Sequence, residues 1–413
     1  RDLPLSLRRQ RQMCIRDRDN KDKKILNVPL LRFPEFTDEW KESVLSDFVE
    51  RVKRKNKNNL CKLPLTISAQ YGLVDQISFF NKVIASENMS NYYLLHKGDF
   101  AYNKSYSSEY PWGAIKRLDC YEQGTLSSLY ICFKPYSHVS SDFLTHYFET
   151  SKWHQGISEI AVEGARNHGL LNVGIQDFFE TRHCLPQSLL EQEKIAKFLN
   201  LIEERIATQN KIIEDLKKLK SAIVDKLYSS TNGKTYSFCQ LFEVVNEKNK
   251  KLAYKNVLSA SQELGMIERS NINIDIKFEQ ESISGYKIVR KGDYVVHLRS
   301  FQGGFAFSDT TGICSPAYTI LRPNDLVVYG YLSHFFTSKP FIKSLKLVTY
   351  GIRDGRSINV DEWLDMPILL PSAQEQMRIL TIVNAIDAKL HNEAKVQFCL
   401  SSQKSYLLNT MFI

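Results

Sequence analysis

Lys97-Gly98-Asp99-Phe100 returns 194 residues later as Lys291-Gly292-Asp293-Tyr294, and what surrounds it returns too. Leu129-Tyr130 with Lys134-Pro135 recurs as Ala317-Tyr318 with Arg322-Pro323, and His146-Tyr147-Phe148 as His334-Phe335-Phe336. Gly164-Ala165-Arg166 with Leu171-Asn172-Val173 recurs as Gly351-Ile352-Arg353 with Ile358-Asn359-Val360. Each copy then passes through a Leu-Pro into a long helical pattern, where the offset has drifted to 184. Solenoid units run about 20–50 residues, so this is a duplicated domain-plus-helix. A duplicated object suits a partner with two comparable sites.

The helical patterns show the duplication most sharply. In the first, Ile195, Leu199, Ile202, Ile206, Ile213, Leu216, Ile223 and Leu227 fall at spacings of four and three, a heptad seam. Adding 184 gives Ile379, Val383, Ile386, Leu390, Gln397, Leu400, Leu407 and Met411. The polar breaks map as well, Gln209 onto Glu393 and Lys220 onto Lys404. Matching seams with matching breaks predict two helices that pack on each other, with the breaks setting register at some cost in stability. At about 1.5 Å per residue, about 40 residues make a rod of roughly 60 Å.

Ahead of each helix lies a block of short strand patterns and turns. In the first, Leu63–Ser68, Leu94–Tyr102, Ser127–Phe133 and Ile157–Val162 read as strands, Ser141–Lys152 as a short helix, and Tyr110–Gly113 as a loop. Ser229–Lys234 has the composition of a helix stop and a flexible join.

The 413 residues carry 55 Lys/Arg and 46 Asp/Glu. Nine of those cations and four of those acids fall in residues 1–24, so the net +9 reduces to +4 over the rest. Bulk charge therefore argues only weakly for nucleic acid. Leu5–Arg18 has no periodicity, and residues 1–27 are expected to be a non-native or disordered basic tail, either a phosphate-binding arm or a sequence-assembly scar. No apolar run approaches the roughly 20 residues of a membrane span, and no secretory signal is recognised. Eight cysteines form no C-x-x-C pair and no zinc spacing against histidine, which predicts reduced, mostly buried thiols in a cytoplasmic protein.

Catalytic patterns are sparse. There is no phosphate loop, no dinucleotide fingerprint and no H-E-x-x-H. Ser315-Pro316-Ala317-Tyr318 departs by one residue from the [DNS]-P-P-[YFW] tetrapeptide of amino-group DNA methyltransferases, but no glycine-rich cofactor loop accompanies it. Asp99 and Asp293 read as turn aspartates that bond their own backbone rather than as an acid–base pair. No metal site is expected.

Nucleic-acid signals sit at loop tips. Asn103 and Lys104 follow the repeated strand in one copy, Arg299 and Gln302 in the other, and the glycine loops carry Arg166 and Asn167, then Arg353 and Arg356. Arg, Asn and Gln are the side chains that read guanine and adenine edges bidentately. The framework repeats while these tips differ, as expected of two modules that read different sequences. The run Arg51–Lys57 suits phosphate contacts that position without specifying, or a solvated charge run.

Leu31-Arg-Phe-Pro-Glu-Phe-Thr-Asp-Glu-Trp40, Leu185-Pro186 with Glu191-Gln192-Glu193-Lys194-Ile195-Ala196, and Leu370-Pro371 with Glu375-Gln376-Met377-Arg378-Ile379 carry a family resemblance. The chain resembles the specificity (S) subunits of type I restriction-modification systems from about residue 28 to 413. Met377 and Thr381 depart from it, standing where the central copy has Glu193 and Lys197.

The resemblance implies an α/β (α+β) fold with two similar target-recognition domains, 28–186 and 229–371. Two long antiparallel coiled-coil helical regions, 187–228 and 372–413, would separate them in a pseudo-two-fold repeat. It implies a non-catalytic subunit with no cofactor of its own. Each domain would read half of a split, asymmetric site in double-stranded DNA. The helix pair would set the unread spacer and dock two modification subunits, which bring S-adenosylmethionine and methylate adenine; restriction subunits can add nuclease activity. Three other readings compete: a specificity subunit of a type II-like methyltransferase system, a coiled-coil protein-binding adaptor, and a free-standing methyltransferase.

Overall fold

Gly98 and Gly292 hold φ of +91° and +99°, a left-handed backbone that glycine adopts without strain. At each, the chain turns into the central strand of a sheet. The computed structural model describes residues 27–82, 84–107, 109–161, 171–261, 264–271, 280–297, 304–350 and 357–413. All but the last residue of the expected 1–27 tail lies outside them.

In the first half, β1 (Val49–Arg51), β2 (Phe100–Asn103), β3 (Ala114–Arg117) and β4 (Ile131–Pro135) form an antiparallel sheet in the order β1-β4-β2-β3. It is followed by α1 (Ser141–Tyr147) and the 41-residue α2 (Leu189–Ser229). In the second half, β5 (Phe242–Val245), β6 (Tyr294–Val296), β7 (Phe305–Phe307) and β8 (Thr319–Pro323) take the same order, β5-β8-β6-β7. They lead to α3 (Tyr331–Phe335) and the 38-residue α4 (Ala373–Thr410). Register repeats too: Phe100 faces Phe133 in β4, and Tyr294 faces Leu321 in β8. The protein is a mixed α/β molecule with one long helix after each sheet.

The central strands read as unbroken apolar runs because both sheet faces are covered. Phe100 and Tyr102 point into one core, while Ala101 points into another with Cys132 and Leu95. Tyr294 and Val296 divide from Val295 in the same way.

Packing separates two compact units, Arg1–Ala207 with Phe398–Ile413, and Thr208–Gln397. Within the first, Trp40, Phe143 and Tyr147 enclose Ile195 and Leu199 of α2 together with Leu407, Met411 and Phe412. Arg32 reaches Glu191 bidentately, at 2.7 and 2.8 Å. Within the second, Val224 of α2 and Ile379 and Val383 of α4 join Tyr331, Phe336 and Trp363. Tyr228 donates its hydroxyl to the Tyr331 carbonyl at 2.6 Å.

Three strand expectations need correction. Ile157–Val162 is not a strand; residues His154–Ile160 form a helix. Trp153, Ile157 and Ile160, spaced four and three, all pack on the first core, a helical rather than an alternating period. Leu94–Tyr102 is broken by Lys97-Gly98 into Tyr93–His96 and β2. Ser127–Tyr130 is a turn, so β4 begins only at Ile131. The cysteines are less buried than expected: all seven described are free, but Cys120, Cys239 and Cys399 are exposed.

Candidate nucleic-acid interface

The repeated Lys-Gly-Asp turns are scaffold. Asp99 accepts the His96 amide at 2.7 Å, and Asp293 the Arg290 amide at 2.8 Å. Each carboxylate is buried and ion-paired, Asp99 with Arg54 and Asp293 with Arg322 through two contacts of 2.9 Å. Burial pushes the Asp99 carboxyl up, against the pull of the His96 amide and Arg54. Neither carboxylate is presented to a substrate. The Ser315–Tyr318 tetrapeptide is likewise a turn: Ser315 takes the Tyr318 amide on its carbonyl and the Ala317 amide on its hydroxyl.

Two of the variable residues, Asn103 and Lys104, sit where β2 ends. Asn103, the last residue of β2, pairs with Ala114, and its side-chain oxygen accepts the Ser105 amide at 3.0 Å. That Asx turn starts a ten-residue loop, 104–113. Lys104, half-buried, offers its carbonyl to the Leu171 amide at 2.8 Å. The bond fastens the end of the segment carrying Arg166 and Asn167 to the Asn103–Lys104 strand end. Lys104 and Leu171 stand 67 residues apart in the sequence.

The loop closes at Gly113, with φ of +79°. A Cβ there would lie 2.1 Å from the Asn103 carbonyl oxygen and 2.9 Å from the Tyr102 ring. Gly113→Ala should therefore destabilise this unit by about 1–3 kcal/mol. Thermal melts should show a clear loss against Gly72→Ala, whose Cβ would meet nothing within 4 Å at a similar φ of +79°. Equal losses would remove the close approach as the cause.

His297 stands at the equivalent of Asn103, and its amide bonds the Gly304 carbonyl at 2.8 Å. That bond spans a six-residue segment, 298–303, holding Arg299 and Gln302. The His297 ring lies 6.1 Å from Tyr318, and burial pushes its imidazole down. Thr349–Tyr350 pairs with Ser357–Ile358 on either side of residues 351–356, which hold Arg353 and Arg356. Six of the eight candidate contacts (Arg166, Asn167, Arg299, Gln302, Arg353, Arg356) lie outside the described residues; only their anchoring points are placed.

The Arg51–Lys57 run is partly built into the fold. Arg51 bonds the Tyr93 hydroxyl at 3.4 Å, Arg54 holds Asp99, and Lys55 reaches the Asn91 carbonyl at 2.9 Å while lying over the Tyr93 ring. Lys53 and Lys57 remain as exposed cations. In the second unit Glu247 takes the place of Arg54 and pairs with Arg290 at 3.0 Å, reversing the local charge.

All twelve seam positions avoid exposure. Ile195, Leu199, Ile379, Val383 and Leu407 are buried, while Ile202, Ile206, Leu216, Ile223, Ile386, Leu390 and Leu400 are half-buried. The polar breaks have partners on the opposite helix: Gln209 meets Glu393 through its carbonyl at 3.1 Å and its carboxylate at 2.5 Å. Lys220 pairs with Asp387 at 2.5 Å, and Lys404 with Glu203 at 2.6 Å. The Gln209–Glu393 and Lys220–Asp387 contacts run the two helices antiparallel within the second unit.

Sequence reasoning missed the fastenings between domain and helix. Gln192 donates to the Pro186 carbonyl at 2.8 Å and accepts the Ser140 amide at 2.8 Å. Gln376 donates to the carbonyls of Pro371 (3.0 Å) and Leu326 (2.9 Å) and accepts the Val328 amide at 2.8 Å. Both glutamines are buried. The signal was present as Glu191-Gln192 and Glu375-Gln376 at the 184 offset, but only the fold shows that the Gln spans from helix to domain.

No family model matches the chain, and no curated protein matches it. Solved structures do. A chain from a structure of a type I R-M system, concerned with complex assembly and conformational transition, has a TM-score of 0.57 at 15% identity. The match covers 90% of this chain and 97% of that one. A type I restriction-modification S subunit from M. genitalium has a TM-score of 0.51 at 14% identity, over 94% and 99%. The chain has the fold of a type I S subunit. At such identities the likeness lies in the backbone. Among the described residues no helix is long and apolar enough to cross a membrane. No group of His, Cys, Asp and Glu among them is placed to hold a metal ion.

Proposed function

We propose that this chain is the sequence-reading, non-catalytic subunit of a type I restriction-modification complex. Each domain reads one half of a bipartite, asymmetric site in double-stranded DNA. The helical regions set the unread spacer and dock two modification subunits, which bind S-adenosylmethionine and methylate adenine, and restriction subunits add cleavage. The observation that carries this reading is one sheet order built twice, with unlike lengths of chain between equivalent paired positions: ten residues between Asn103 and Ala114, six between His297 and Gly304. A shared frame with unlike tips is what two half-sites of different sequence require. The S-subunit fold over nearly the whole chain supports it further.

Methylome sequencing of cells that co-express the chain with its modification subunits tests the reading. The expected result is a split motif that depends on this chain, and exchange of residues 30–186 should change one half of it. A single continuous motif, or none that depends on the chain, would sink the proposal.

A further inference from the structure

Each domain meets the helices through a polar cluster of the same make-up. In the first unit His146 of α1 places Nε2 2.7 Å from the Asn200 side-chain oxygen, and its Nδ1 faces Glu203 at 3.6 Å. Glu203 in turn takes Lys404 from the other long helix. In the second unit His334 of α3 places Nε2 3.4 Å from the Asn384 oxygen and 3.8 Å from Asp387, which takes Lys220. Asn200 and Asn384, Glu203 and Asp387, and Lys220 and Lys404 all obey the 184 offset. Two of these residues, the lysines, are the breaks that interrupt the apolar seam.

A polar break costs stability where an apolar residue would extend the seam. Here the break occurs twice, each time with an acid on the opposite long helix and a histidine from the neighbouring domain. The surrounding contact of Tyr147, Leu199, Leu407 and Phe412 is apolar and so fixes no angle by itself. Hydrogen bonds and ion pairs fix direction. Three elements meet at each cluster: domain helix, one long helix, then the other. A domain cannot tilt on its helix ends without breaking it.

We infer that these two clusters set the angle at which each domain is seated on the helices, making His146 and His334 positioning residues for the spacing between the half-sites read. The inference rests on the bipartite reading proposed above. Successive base pairs are about 3.4 Å apart, so a small tilt is enough to admit a spacer one pair longer or shorter. Burial pushes the His146 imidazole down, with Lys404 adding to that push while Glu203, Asn200 and Glu149 oppose it. Around His334, Lys220 pushes the same way as burial, against Asp387 and Asn384.

The test uses the full chain co-expressed with its modification subunits and reads methylation at targets of graded spacer length. Wild type should methylate one spacer length. A variant combining His146→Ala, Asn200→Ala, His334→Ala and Asn384→Ala should keep both half-sites yet methylate spacers one base pair longer and shorter at least tenfold above the wild-type level. The exchange Glu203→Lys with Lys404→Glu, which restores the ion pair in reverse, should keep the single spacer. Methylation of the wild-type spacer alone, at any occupancy, would overturn the inference. If the fourfold variant yields no methylation, His334→Ala alone decides by the same criterion, since its ring is less buried. A wild-type chain that confers no split motif fails the bipartite reading itself, and this inference with it.

Discussion

Glu191→Ala should cost the first unit about 3–5 kcal/mol, the range for breaking a buried ion pair by removing one partner. The Glu191 side chain is 2% exposed. It takes both Arg32 contacts and the Trp40 indole N–H at 3.2 Å. Truncation leaves the Arg32 guanidinium, itself only 12% exposed, without its bidentate partner. That bond is also the largest cause holding the Arg32 guanidinium above its ordinary range. At about 2–4 °C per kcal/mol for a body of this size, the transition of that unit should fall by about 10 °C. Glu375→Ala is the internal control, because among the described residues the Glu375 carboxylate is ion-paired with Arg378 alone, on its own helix surface. Surface pairs of that kind contribute little. Differential scanning calorimetry of both variants settles the matter: equal shifts would mean that the bidentate pair does not hold the segment around Arg32 onto α2.

Acid should weaken the same unit through His183. Its ring is buried, with the Tyr147 hydroxyl 2.9 Å from Nδ1 and the Thr181 hydroxyl 2.8 Å from Nε2. Thr181 already donates its proton to the Phe178 carbonyl at 2.7 Å, so it accepts from Nε2–H. Tyr147 must then donate to the Nδ1 lone pair, and the pocket has no place for a second ring proton. Burial accordingly pushes the imidazole down to about 4. A histidine held below its unfolded value contributes stability that is complete above about pH 6.5 and lost as pH falls toward 4. The span corresponds to about 3 kcal/mol. His183→Gln keeps both bonds, its oxygen accepting from Tyr147 and its amide donating to Thr181, and removes the titration. Melts from pH 7 to pH 4 should show wild type losing about 3 kcal/mol more than this variant. Parallel curves would show that His183 is not held neutral.

The duplication, the two long helices and the positions of their polar breaks were legible because each repeats at a fixed offset, and helical period is a local property. The Lys-Gly-Asp turns were legible for the same reason, since Gly98 and Gly292 need a left-handed backbone wherever the chain goes next. Ile157–Val162 misled because a six-residue window cannot separate a short buried helix from a strand when its neighbour Trp153 lies just outside. The candidate contacts were legible only as residue types at loop tips.

By itself, then, the sequence determined that one strand-and-helix order occurs twice, and which face of each long helix is apolar. Tertiary structure alone decided what the matched polar residues do. Lys404 and Lys220 align in the repeat, yet each is paired with an acid on the opposite helix, and each acid faces a histidine from a domain. Offsets report likeness along one chain. A three-element junction depends on direction and distance among segments more than 50 residues apart, and only packing brings those together.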